Sequence, residues 1–278
     1  MIKTSSMDIL DKKIAFIIGA QKCGTTAVHK LLSSHPEISL PSIKETHYFS
    51  STPLYEKGTD WYYSHFDFDK KTLCEVDPSY LFIPESCDRI RGIAPDSKFI
   101  VIFRKPIDRA LSQYLMSYHR GYEKLSFIDA LKSEKKRLKN DDGRFSFINH
   151  SYALRGNYAI QLNRYLSNFD KSNFLFIKFD DLISNEVNKN ILESICSFIG
   201  VDSRLLDLSL PKLNNKKKIK SIMVRNLLYK ESLLKRVTRF ALPSNQLRNK
   251  IKSIMNSLNS TNYSKIESEN EIDRHLIS

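Results

Sequence analysis

The residues with the clearest chemical potential lie between Lys13 and Ala27, KIAFIIGAQKCGTTA. An apolar run, Ile14 to Ile18, breaks at Gly19 into a short loop, and the loop leads into residues with helical spacing. A strand, a glycine loop and a helix start together present backbone N–H groups and a helix N-terminus to an anion. Lys22 sits inside the loop, and Thr25 and Thr26 follow Gly24. Gly19 and Gly24 have the spacing of the nucleotide loop G-x-x-x-x-G-K-[ST], but the lysine comes two residues before Gly24 and Thr25 stands directly after it. A lysine placed upstream still reaches a terminal phosphate, whereas the Lys-Ser/Thr pair whose hydroxyl holds magnesium is lost. The loop therefore predicts an anion site built from Lys22, Cys23, Gly24, Thr25 and Thr26 without an obligatory metal. An ordinary strand–turn–helix with a surface lysine is the alternative. Cys23 could have an acidic thiol beside Lys22, but no base is evident nearby, and it reads as a small spacer.

A second candidate is Phe103-Arg104-Lys105-Pro106, with Ser112 eight residues after Arg104. Arg104 ends a buried strand, at the carboxyl edge where open α/β sheets bind ligands. An arginine fork with a nearby hydroxyl suits a dianionic phosphate. The alternative is an arginine paired with Asp108 on its own helix. Two anion sites on neighbouring strand ends would imply one ligand with two separated phosphates.

The elements that must hold these residues are legible from periodicity. Lys98 to Phe103, KFIVIF, is a near-continuous apolar run of strand length, as expected for a buried parallel strand. Thr72 to Val76 and Asn173 to Phe179 also read as strands, and Glu37 to Leu40 as a short extended run, whereas Pro41 to Ser50 reads as a loop. Helical spacing is expected over Thr25–Ser34, Pro84–Ala94, the segment opened by Pro106, Ser126–Leu138, Tyr158–Phe169 and Glu186–Ile199. Strands alternating with helices predict an α/β fold with a mostly parallel central sheet flanked by helices. Beyond Pro211 no strand is evident, and the region reads as basic and helical, ending in a polar tail.

At 278 residues with 41% hydrophobic content the chain can bury a substantial core. The expected organisation is one domain: a short extension over residues 1–12, an α/β core over 13–210 and a basic helical region over 211–278. The formal net charge of +13 is concentrated between Lys212 and Lys252. Such a surface attracts polyanions or a multiply phosphorylated ligand. The four cysteines have no metal-ligand spacing and read as reduced, partly buried thiols. The first residues lack the apolar core of a leader, and no stretch approaches a membrane span. The expectation from these features is a cytoplasmic protein.

Taken together, Lys22-Cys23-Gly24-Thr25-Thr26 and Arg104 to Gly121, RKPIDRALSQYLMSYHRG, resemble two segments of a known family. The first is similar to the 5′-phosphosulfate loop of sulfotransferases that use 3′-phosphoadenosine 5′-phosphosulfate (PAPS), and the second to their 3′-phosphate segment. Order and spacing are most similar to the heparan sulfate sulfotransferases and their bacterial relatives, over about Lys13 to Gly200. The resemblance implies a P-loop-like sulfotransferase fold. It places a catalytic glutamate at Glu45 in PSIKETHYF, with His47 two residues on as a further catalytic candidate. Gly58 to Tyr62 and Gly156-Asn157-Tyr158 are also similar to family segments. Arg104 and Ser112 would hold the 3′-phosphate. The basic loop that covers the nucleotide would fall on Lys216 to Ser221, with Lys217 and Lys218 as contacts. Two departures remove positive charge facing the acceptor. Val76 stands where heparan-acting relatives carry a lysine, and Thr26 where some carry an arginine.

The expected function is transfer of the sulfuryl group from PAPS to a hydroxyl or amine of a carbohydrate-type acceptor by in-line displacement. Lys22 would neutralise the leaving oxygen, Glu45 would take the acceptor proton, and no metal or nucleic acid would be involved. An anionic polysaccharide or lipid contact through the basic C-terminal region is a further candidate partner. Two rival readings remain at this point: a kinase-like enzyme on the same architecture, and a non-enzymatic protein that binds polyanions through its basic region.

Overall fold

The computed structural model describes residues 13–141, 143–184, 188–206, 217–219 and 260–262. The amino-terminal extension, most of the basic region and the polar tail lie outside the described residues. The chain divides into two compact units, Met1–Arg109 with Arg155–Pro211 and Ala110–Leu154 with Lys212–Ser278.

The first unit is built on five strands: β1 (Lys13–Gly19), β2 (Ile38–Ser39), β3 (Thr72–Val76), β4 (Lys98–Phe103) and β5 (Phe174–Lys178). They pair in the order β2-β3-β1-β4-β5, and all four pairings are parallel. Phe99, Ile100, Val101 and Ile102 of β4 are fully buried, as the continuous apolar run required. Edge strand β5 is covered less completely, with Phe174 and Ile177 buried and Phe176 exposed. The helices, in chain order, are α1 (Thr25–Leu32), α2 (Thr52–Tyr55), α3 (Gly58–Tyr63), α4 (Pro84–Ile93), α5 (Pro106–His119), α6 (Phe127–Lys139), α7 (Phe145–Asn149), α8 (Tyr158–Leu166), α9 (Phe179–Ile183) and α10 (Asn188–Ile199). Pro84 and Pro106 each open a helix, where a missing N–H costs nothing.

β1 lies at the centre, with β3 on one side and β4 on the other. After β3 the chain passes over β1 to reach β4, so the sheet changes winding direction between β1 and β4. Their carboxyl ends flank the crevice that such a change of direction opens. The loop after β1 and Arg104 after β4 both emerge there.

An aromatic cluster fixes the long connection between β2 and β3. Tyr48 and Phe49 are buried to 1% and 0% exposure. Tyr48 stacks on Tyr62 at 4.8 Å, and Phe49 meets Tyr62 at 5.0 Å and Tyr80 at 5.4 Å, edge to face. A segment that reads as an irregular polar loop is therefore anchored firmly at its C-terminal end.

In the second unit, Glu123 is buried and takes both guanidinium nitrogens of Arg137. Burial pushes its carboxyl up, but Arg137 and the backbone N–H groups of Leu125 and Lys124 outweigh this and bring it down to about 2. Tyr152 donates to the same carboxylate at 2.9 Å. This unit also carries two three-residue strands, β6 (Lys217–Ile219) and β7 (Ser260–Asn262), paired antiparallel. The expectation of no strand beyond Pro211 is thereby corrected. Segments this short lack the run of alternation that periodicity detects.

Candidate active site

The loop after β1 is a tight, sterically specified turn. The Cys23 N–H donates to the Ala20 carbonyl at 3.2 Å, and Lys22 adopts a left-handed φ of 72°. Gly24 caps α1 at φ 82° and ψ 8°. A Cβ there would be strained by that φ and would sit 3.1 Å from the Phe179 ring, so only glycine fits. Its carbonyl accepts the N–H groups of Ala27 and Val28 at 2.9 and 3.3 Å, which starts the helix. The first N–H groups of a helix have no intrahelical acceptor, and the helix dipole adds partial positive charge. Thr25 and Thr26 stand at that end, Thr25 buried and Thr26 exposed. Cys23 is buried, and burial pushes its thiol up, although Tyr158, Arg109 and Arg104 act in the opposite direction. That direction opposes an acidic Cys23 thiol and agrees with the spacer reading. All four cysteines are buried and unbridged.

Arg104 turns to this loop. Its guanidinium donates to the Lys22 carbonyl at 3.3 Å and lies over the Phe179 ring at 4.7 Å. The Tyr158 hydroxyl, on the first residue of α8, donates to the Arg104 carbonyl at 2.9 Å and lies 3.9 Å from Cys23 Sγ. One phenol thus touches the backbone of the arginine and the core of the loop. The two candidate anion-binding segments are packed together at one sheet edge. Ser112 lies on α5, half-buried, and belongs to the second unit. Lys217 and Lys218 fall on β6 of the same unit.

The segment Lys44 to His47 brings the acidic candidates to the same place. Glu45 and His47 both have left-handed φ, 58° and 55°, which non-glycine residues adopt only when held. What holds them is a pair of buried carboxylates at alternate positions of β3 and its carboxyl end. Glu75 Oε1 accepts from the Thr46 N–H at 3.1 Å and the Thr46 hydroxyl at 2.6 Å. The same carboxylate takes the hydroxyls of Tyr80 at 3.0 Å and Tyr62 at 2.8 Å. Asp77 Oδ2 accepts from the His47 N–H at 3.0 Å and pairs with His47 Nδ1 at 2.8 Å. Glu75 and Asp77 are both 0% exposed, so neither could stay buried without such donors.

The electrostatics sort these groups into roles. Burial and the neighbouring charge of Asp77 push Glu75 up to about 7, against the pull of its three hydroxyl donors. The hydrogen bond to Asp77, with the charges of Asp77, Glu45 and Glu75, outweighs burial and lifts His47 to about 9. That direction favours the protonated imidazole, so His47 reads as a cation held by Asp77 and not as a proton acceptor. Asp77 also faces Arg155, which burial and the nearby Arg109 push down to about 9 while Asp77 acts to hold it charged. The Arg155 guanidinium lies 4.0 Å above the Phe82 ring.

Glu45 lies 3.2 Å from the Lys44 ammonium, and that ammonium donates to Thr26 Oγ1 at 3.0 Å. The carboxylate expected to act as base is thereby tied to the anion loop. The sequence motifs assigned no role to Lys44, Glu75, Asp77 or Arg155. The alternation Glu75-Val76-Asp77 at the end of an apolar strand was the available signal, since two carboxylates entering a sheet core demand partners.

The parallel α/β unit thus carries a glycine loop, an arginine and a held carboxylate at its winding switch, an arrangement suited to an anionic ligand. The chain belongs to the sulfotransferase domain family, whose model matches residues 12–267. It is 28% identical over 200 residues to heparan sulfate glucosamine 3-O-sulfotransferase 6 of Mus musculus, covering 69% of this chain and 54% of that one. It is 29% identical over 195 residues to heparan sulfate glucosamine 3-O-sulfotransferase 3B1 of Homo sapiens, covering 69% and 47%. The chain thus spans about half the length of these relatives. A sulfotransferase structure from Alicyclobacillus acidocaldarius matches with a TM-score of 0.61 at 29% identity, over 72% of this chain and 86% of that one. The fold is the P-loop-like sulfotransferase fold.

Proposed function

We propose that this protein transfers the sulfuryl group of PAPS to a hydroxyl or amine of a carbohydrate-type acceptor. The observation that carries this reading is the convergence of three segments at one sheet edge. Arg104 contacts the loop at Lys22, and Lys44 joins that loop at Thr26 to Glu45.

The residues present fit the nucleotide. The start of α1 and Lys22 suit the 5′ end, and Gly24 supplies the left-handed turn that opens the helix there. Arg104, partly buried against Phe179, suits a second phosphate. Ser112, Lys217 and Lys218, the further nucleotide contacts expected from the sequence, belong to the second unit. PAPS supplies an activated sulfuryl group. Glu45 takes the proton of the attacking hydroxyl or amine, Lys22 stabilises charge on the leaving phosphate, and His47 adds a fixed positive charge beside Glu45. The relatives named above are heparan sulfate enzymes by name, which supports a saccharide acceptor here. The four unbridged cysteines support a reducing, cytoplasmic setting.

The test is calorimetric titration with adenosine 3′,5′-bisphosphate (PAP) against ADP, followed by transfer from labelled PAPS to a panel of saccharides. Strong preference for PAP and label in a saccharide are the expected results. Equal affinity for both nucleotides, with magnesium-dependent phosphoryl transfer, would move the protein to the kinase-like reading.

A further inference from the structure

Lys44 stands between two groups that the proposed reaction uses. Its ammonium reaches Thr26 Oγ1 at 3.0 Å on the loop after β1, and Glu45 Oε1 at 3.2 Å on its own segment. Neighbouring side chains in extended backbone point to opposite faces. The left-handed φ of 58° at Glu45 breaks that alternation and lets consecutive residues form an ion pair. The backbone arrangement is held on both sides of Thr46 by Glu75 and Asp77, so this pairing is built into the segment. The Lys44 side chain remains 38% exposed, open to an incoming anion, and its flexible stem carries a compact charge.

We infer that Lys44 is a further catalytic cation: it pairs with Glu45 before the donor arrives and moves to the transferring sulfonate, beside Thr26, once the donor is bound. This rests on the reading of the Thr26 loop and Glu45 given under Proposed function. A carboxylate brought close to an anionic sulfonate is repelled unless a cation lies between them. Lys44 contacts both the loop and the carboxylate. In the transfer the acceptor oxygen or nitrogen forms its bond to sulfur. The bond from sulfur to the 5′-phosphate oxygen breaks, and its electron pair stays on that oxygen. The acceptor proton passes to the Glu45 carboxylate, while Lys44 keeps its own.

The experiment is calorimetric titration, without acceptor, of PAPS and of PAP, which lacks the sulfonate, into wild type, Lys44→Met and Lys44→Arg. The Lys44→Met variant is expected to bind PAP within about twofold of wild type and PAPS about tenfold more weakly, the scale of one partly exposed charged hydrogen bond. Lys44→Arg is expected to recover most of the PAPS affinity, and turnover with acceptor should fall in Lys44→Met and return in Lys44→Arg. Equal weakening of both nucleotides, or weakening of neither, overturns the role of Lys44 while leaving the donor assignment intact. A wild-type protein that does not prefer PAP to ADP overturns the donor assignment itself, and with it the inference.

Discussion

At the scale of single residues, the site separates proton chemistry from charge placement. Glu45 lies on the surface side of its segment, paired with Lys44, while Glu75 and Asp77 are buried beneath and act on backbone. Glu45→Gln should lower transfer by about 10²- to 10⁴-fold, the usual contribution of a positioned base, and leave PAP affinity unchanged in calorimetry. Glu75 makes a prediction about pH. Its folded pKa, about 7, lies above its ordinary value of 4.5, so the stability tied to its neutral form is complete below about 4.5 and lost as pH rises through about 7. His47 follows the same direction over a higher window, complete below 6.5 and lost through about 9. A Glu75→Gln variant removes the first titration and keeps His47. Its melting temperature relative to wild type should improve steadily from pH 5 to about pH 8. A constant difference across that range would contradict the assignment.

At the scale of elements, the site depends on three turns at the carboxyl edge being locked to one another. Tyr158, opening α8, joins two of them through the Arg104 carbonyl and the Cys23 thiol. Its hydroxyl donates to a backbone carbonyl, so Tyr158→Phe should cost about 0.5–1.5 kcal/mol of unfolding free energy by denaturant titration. The same variant should weaken PAP binding, since the loop and Arg104 lose a shared strut. Arg104→Ala removes a charged donor outright and should weaken PAP binding more, by about 1.5–3 kcal/mol. A Tyr158→Phe loss as large as that of Arg104→Ala would mean that the phenol itself contacts the ligand.

At the scale of the whole molecule, a net charge of +13 on 278 residues creates a long-range field that no single ion pair explains. Within the described residues, charged side chains near the site are mostly paired, as Lys44 with Glu45 and His47 with Asp77. The excess lies in the sequence between Lys212 and Lys252, outside the described residues apart from Lys217, Lys218 and Ile219. If that region gathers an anionic acceptor, KM for a sulfated or uronic-acid saccharide should rise steeply between about 50 and 200 mM salt, as the Debye length shortens from roughly 14 to 7 Å. KM for a neutral saccharide should stay nearly flat over the same range. Parallel behaviour of the two acceptors would remove the basic region from acceptor capture.

Much of the frame was legible in the order of residues. Strands β3 and β4 occupy the very spans that apolar patterning marked, and Pro84 and Pro106 open helices where they were expected. The turn around Lys22 and the strand-end position of Arg104 could be read because a glycine turn and a strand end are local features, set by neighbours in the chain. The short helices α2, α3 and α7 and the strands β6 and β7 escaped because they are too brief for a period to appear. What the chain order could not show is who meets whom across long separations. The Lys44–Thr26 bridge spans 18 residues, the Glu75–Thr46 bond 29 and the Arg104–Lys22 contact 82. Those meetings depend on β3 and β4 settling on either side of β1, and the backbone at Glu45 and His47 is left-handed only because buried carboxylates from β3 hold it there. Local propensity opposes that conformation, and only tertiary contacts could impose it.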